Sequence, residues 1–99
     1  MKVYVLEESE NPKKKYTAIR LNPSLKHISF GAKGYSDYTM HKDVQRKKNY
    51  IERHKATEDW QDTDSPGFWS RRVLWNKPTL DESIRDTEKK FNIKIAKAF

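Results

Sequence analysis

Apolar and polar residues alternate at three places in the first third of the chain. Over residues 2–8 (KVYVLEE), Val3 and Val5 fall on one face and Tyr4 and Leu6 on the other, the period of a strand. Residues 16–21 (YTAIRL) repeat the pattern, with Thr17, Ile19 and Leu21 on one side, and residues 26–30 (KHISF) set Ile28 and Phe30 together. Asn11-Pro12 and Asn22-Pro23-Ser24 are turn signals between them, so the first two strands read as a hairpin with a long polar loop. Gly31 and Gly34 then break the sheet.

From Asp43 the pattern turns helical. Asp43 suits an N-cap, where its side chain can accept from free backbone N–H groups and its charge complements the helix dipole. Val44, Ile51 and the stems of Lys47, Lys48 and His54 predict a thin docking stripe, hence a largely exposed helix that fades near Ala56-Thr57. Residues 58–66 (EDWQDTDSP) form an acidic linker around Trp60. Ser65 and Pro66 fit the cap and first position of a second helix reaching Trp75, apolar nearly all round except for Arg71 and Arg72. Thr79 and Glu82 form a capping box for a third helix from Leu80 to Phe91, with Leu80, Ile84 and Phe91 on one face. The tail is ambiguous. Phe91, Ile93 and Ile95 alternate as in an antiparallel edge strand, whereas Ala96 and Ala98 suit a helical extension.

The expected architecture is one α+β domain over residues 1–99: a small antiparallel sheet of about three strands, then three helices. Composition qualifies this. Hydrophobic residues are 34% of the chain and charged residues 35%, a balance that leans toward disorder. Three Trp, five Tyr and four Phe pull the other way, toward a folded domain with an aromatic core. Phe68 and Trp69 are assigned to that core, while Trp75, beside Lys77, is the better candidate for an exposed ring. There is no cysteine, which excludes disulfides, thiolate zinc sites and cysteine nucleophiles. No apolar run approaches a membrane span or a signal peptide, so a protein that is not secreted by that route is expected.

Net charge is +7, which favours a polyanionic partner. Its distribution is uneven: +4 over residues 41–55, −4 over 56–66 and +3 over 67–77. At about 100° per residue, Lys42, Arg46 and Arg53 lie near one line of the first helix, with Lys48 and Lys55 on another side. Lys42, Arg46, Lys47, Lys48, Arg53 and Lys55, with help from Arg71, Arg72 and Lys77, are the candidate phosphate contacts. Such contacts drive salt-dependent binding of nucleic acid, and nothing in the pattern specifies base readout. Lys13, Lys14 and Lys15 at the hairpin tip are read as solubilising. The acidic segment could fold back on Arg71, Arg72 or the basic helix, or meet a basic neighbour.

Catalytic and metal signatures are weak. His41 and Asp43 are two apart, but no tight histidine pair accompanies them, and His41 is better read as a hydrogen-bonding residue at the entry to the helix. His54 suits the helix C-terminus. Gly31-Ala32-Lys33-Gly34 lacks the spacing of a phosphate-binding P-loop. No catalytic residue, metal ligand or cofactor is assigned, and a non-enzymatic protein is expected.

The motifs His41-Lys42-Asp43, Arg53-His54, Gly67-Phe68-Trp69-Ser70 and Leu74-Trp75-Asn76-Lys77-Pro78-Thr79, with Ile28-Ser29-Phe30-Gly31 and Asp37-Tyr38-Thr39, resemble a family of small uncharacterised proteins encoded by nucleocytoplasmic large DNA viruses. The resemblance spans residues 27–91. It implies a viral origin and a place in the virion or the infected cell, and supplies no mechanism. Together with the charge it leads to the expectation of a sequence-independent nucleic-acid binder, with DNA preferred over RNA as the partner. The alternative is a virion or assembly protein that uses the basic helix and acidic linker to bind other proteins or itself.

Overall fold

The computed structural model describes all 99 residues. Strands β1 (Val3–Glu8), β2 (Lys14–Asn22) and β3 (Lys26–Ala32) come first, as the alternation predicts. Helices α1 (Tyr38–His41), α2 (Val44–His54) and α3 (Pro66–Trp69) follow. A π-helical turn, Ser70–Leu74, continues α3, then come α4 (Leu80–Phe91) and β4 (Lys94–Lys97).

The architecture is α+β, but the sheet has four strands, not three, and it is mixed. Its order is β3-β2-β1-β4. β1–β2 and β2–β3 pair antiparallel, while β4 runs parallel to β1 with Tyr4 opposite Ile95. The tail is therefore a strand, and neither an antiparallel edge nor a helical extension. The reason is topological. After β3 the chain crosses one face of the sheet as helices and re-enters from the end where β1 begins, which makes the last pairing parallel. Asn92 in the left-handed conformation (φ 51°) ends α4, and Lys94 N–H donates to the Lys2 carbonyl at 3.0 Å to start the ladder.

All the helical packing lies on one face. Tyr4, Leu6, Ala18, Ile28, Phe30 and Ile95 of the sheet meet Phe68, Trp69, Val73, Leu74 and Ile84. Trp69 is fully buried, edge-on to Tyr4 at 4.9 Å, with its indole N–H donating to the Thr63 carbonyl at 2.8 Å. This is the core assigned to Phe68 and Trp69 from the sequence. In β2 the core side chain is the small Ala18, between Leu6 and Ile28 in register, and Ile19 and Leu21 turn to the uncovered face. A small residue there leaves volume for the large rings around it.

Three local departures bear on function. The second predicted helix is one α-turn followed by the π-turn, in which Trp75 N–H donates to the Ser70 carbonyl five residues back. The extra residue lets Trp69, Val73 and Leu74 all reach the sheet. A fourth helix, the single turn α1, forms where Asp37 accepts from Thr39 N–H. Lys42 ends α1 in the left-handed conformation, so it does not continue the face of α2.

Candidate nucleic-acid interface

α2 starts as the sequence predicts. Asp43 caps it, accepting from the backbone N–H groups of Gln45 at 2.9 Å and Arg46 at 3.3 Å. His41 Nδ1 accepts from Asp43 N–H at 2.9 Å, which is the positioning role expected of it. The docking stripe differs. Val44 is exposed, and the anchor is Tyr50, which the stripe left out. Its ring stacks on Trp75 at 4.4 Å with an interplanar angle of 3° and lies 4.4 Å from the His54 ring. Trp75 is therefore covered by Tyr50 and is not a free ring. The signal was present: Lys47, Tyr50 and His54 share the i, i+3, i+7 spacing, but a tyrosine among lysines does not register as an apolar stripe.

Docking through Tyr50 sets one basic edge of α2 along a groove. Arg46 and Arg53 line a groove of about 660 Å³ between α2 and the segment joining β3 to α1. Lys14, Gly34, Tyr35 and Ser36 line it from the sheet side, and Glu58, Gly67 and Ser70 close one end. Arg46 donates to Ser36 Oγ at 3.2 Å and forms no ion pair. Arg53 has only a long contact to His54 Nε2 at 3.4 Å, and Lys14 has no side-chain partner.

The groove also holds two carboxylates, and both are engaged. Asp37 is buried and takes an ion pair from Lys15 and two bonds from Thr39. Glu58 accepts from the Trp60 indole N–H at 2.9 Å and faces His54 Nδ1 at 3.1 Å. A Cβ at Gly67 would lie 3.1 Å from the Glu58 carboxylate, so glycine allows this close packing.

The other predicted contacts have different surroundings. Lys47 donates to the Asn76 carbonyl at 2.6 Å and lies over the Tyr38 ring at 5.0 Å. Burial, with the charges of Arg71, Lys77 and Lys90, draws its pKa below the usual lysine value. Arg71 lies over Trp60 at 5.5 Å and donates to the Trp75 carbonyl, and Arg72 lies over Phe91 at 5.0 Å. Burial lowers the pKa of both guanidinium groups, and their Nε atoms are buried without partners. Both guanidinium groups therefore lie over rings, and the expected fold-back of the acidic segment onto them as ion pairs does not occur. Lys55 pairs with Glu52 at 2.9 Å on the outer side. Lys42 donates to the Thr39 carbonyl, and Lys42, Lys48 and Lys77 are exposed outside the groove.

The hairpin-tip lysines, read as solubilising, divide: Lys13 is exposed, Lys14 reaches the groove, and Lys15 holds Asp37. The acidic segment folds back, but largely onto the sheet. Asp64 meets Arg20 at 2.6 Å, Lys2 at 3.5 Å and the Tyr4 hydroxyl at 2.9 Å. No three His, Asp or Glu side chains converge as a metal site would require.

The model of a family of unknown function, DUF5754, matches residues 4–54, which span β1 through α2. Lys14, Tyr35, Arg46 and Arg53 fall inside that stretch, whereas the Trp-rich turn and α4 fall outside it. No curated protein and no solved structure matches the chain.

Proposed function

Because the chain belongs to the DUF5754 family, whose function is unknown, its role must come from its own residues, and we propose that it binds nucleic acid by the phosphates, without base readout, in the groove beside α2. The observation that carries this reading is the convergence of Lys14, Arg46 and Arg53 on one concavity without a carboxylate partner, while the two carboxylates there are held by Lys15, Thr39, His54 and Trp60. Unpaired cations in a concave site focus positive potential, and the chain's +7 adds a long-range field. Lys42, Lys48 and Lys77 contribute to that field from outside. Lys47, Arg71 and Arg72 act by holding α2 and the π-turn in place. The assembly alternative rests on Asp59 and Asp62, which are exposed and form no ion pair, since Asp64 and Glu58 of the acidic segment are engaged within the chain.

The test is a salt titration of binding to DNA and RNA. Affinity should fall steeply, with a log–log slope of about −0.7 to −0.9 for each phosphate neutralised. Replacing Lys14, Arg46 and Arg53 together by Gln should flatten the slope by about two to three, whereas Lys48→Gln should change it by less than about one. Failure to retain either nucleic acid at about 50 mM salt would sink the proposal.

A further inference from the structure

Tyr35 is the most exposed aromatic ring of the chain, 73% accessible, and it lines the same groove as the unpaired cations. Its ring makes no ring–ring or cation–π contact and its hydroxyl bonds to nothing. All the other tyrosines are buried or packed: Tyr4 on Trp69, Tyr16 on Phe30 and Phe99, Tyr38 near His41, Tyr50 on Trp75. An isolated exposed ring contributes nothing evident to stability.

Its placement is built. Tyr35 closes a turn in which its N–H donates to the Ala32 carbonyl at 3.2 Å, and Gly34 at φ +91° supplies the left-handed step. The next residue, Ser36, accepts from the Arg46 guanidinium. The Arg46 guanidinium is thus held at the residue next to the bare ring, at the edge of one concavity. Arg46 and Arg53 both line that concavity while remaining exposed to solvent. Duplex phosphates lie on a broad convex cylinder with the bases stacked inside, so a duplex would leave Tyr35 facing a backbone. A flexible single strand can follow the groove and turn a base onto the ring.

On the reading that the groove binds phosphates, we infer that its ligand is single-stranded nucleic acid, with Arg46 and Arg53 on the backbone and one base stacked on Tyr35. Stacking of this kind is tolerant of sequence, because every base has a π-face. The inference separates Tyr35 from the cations: the ring supplies a contact that salt does not weaken.

Fluorescence anisotropy of a labelled oligothymidylate of about 12 nucleotides, set against a duplex of the same length, tests it. The single strand should bind at least about tenfold tighter than the duplex. Tyr35→Ala should weaken single-strand binding by about tenfold with an unchanged salt slope, and Tyr35→Phe should retain wild-type affinity, since only the ring is needed. Thermal unfolding of both variants should match the wild type, because the side chain packs on nothing. Equal or tighter duplex binding, or a Tyr35→Ala variant as strong as wild type, overturns the inference and leaves phosphate binding standing. Loss of all binding at low salt in the wild type overturns both.

Discussion

Asp64 ties the acidic segment to the sheet, and its energetics can be read atom by atom. Burial works to raise its pKa, but the Tyr4 hydroxyl and the charges of Lys2, Arg20 and Lys26 outweigh it and hold the carboxyl below its ordinary value. The same burial pushes Tyr4 up to about 12, so its hydroxyl stays a donor throughout the working range. A carboxyl depressed by folding stabilises the native state fully above its unfolded pKa, near about 4, and that contribution is lost as pH falls through the lower folded value. Urea unfolding of Asp64→Ala should therefore show a loss of about 2 kcal/mol at neutral pH, and the gap to wild type should shrink below about pH 4. Lys47 offers the complementary contrast. Lys47→Ala should lower stability by about 1 kcal/mol through the lost Asn76 bond, yet leave the salt dependence of nucleic-acid binding almost unchanged. Arg46→Gln should do the reverse. In sequence these neighbours look interchangeable; they differ because adjacent positions on a helix point about 100° apart.

At the scale of elements, α2 is a lightly attached helix. It is capped by Asp43 and held mainly by Tyr50, Lys47 and His54. Asp43→Ala should cost about 1 kcal/mol, and hydrogen exchange should quicken first over residues 44–54 while β1 and β2 stay protected. The caps of α2, α3 and α4 were legible because a cap is a contact over two or three residues: Asp43, Ser65 and Thr79 each accept from the first turn as expected. The π-turn was not legible. It follows from the need to bring Trp69, Val73 and Leu74 onto a single sheet face, which depends on where that face lies.

At the scale of the molecule, one core unites the ends of the chain. Ile95 of β4, Tyr4 of β1 and Trp69 lie in the same apolar cluster. Trp69→Ala should cost about 3–5 kcal/mol and lower the thermal midpoint by 10 °C or more, roughly, as a global loss and not a local one. The charge pattern also resolves only at this scale. Residues 56–66 carry −4, but Asp64 is held by Lys2 and Arg20 on the sheet, and of the four carboxylates only Glu58 lines the basic groove.

The sequence by itself determined what acts over a few residues. Strand alternation over residues 2–30, the three caps, the exposed basic helix and the assignment of Phe68 and Trp69 to the core all follow from period, propensity and a shortage of other apolar residues. Tertiary structure alone decided the parallel pairing of β4, the anchor at Tyr50 and the surroundings of each cation. A lysine or arginine is equally charged whether its side chain lies along a core ring, as Arg72 does on Phe91, or reaches into a groove, as Lys14 does. Direction is set by which face of each helix is buried, and that depends on partners tens of residues away. The residues Lys14, Tyr35, Arg46 and Arg53 therefore line one groove only once β2, the β3–α1 turn and α2 have met.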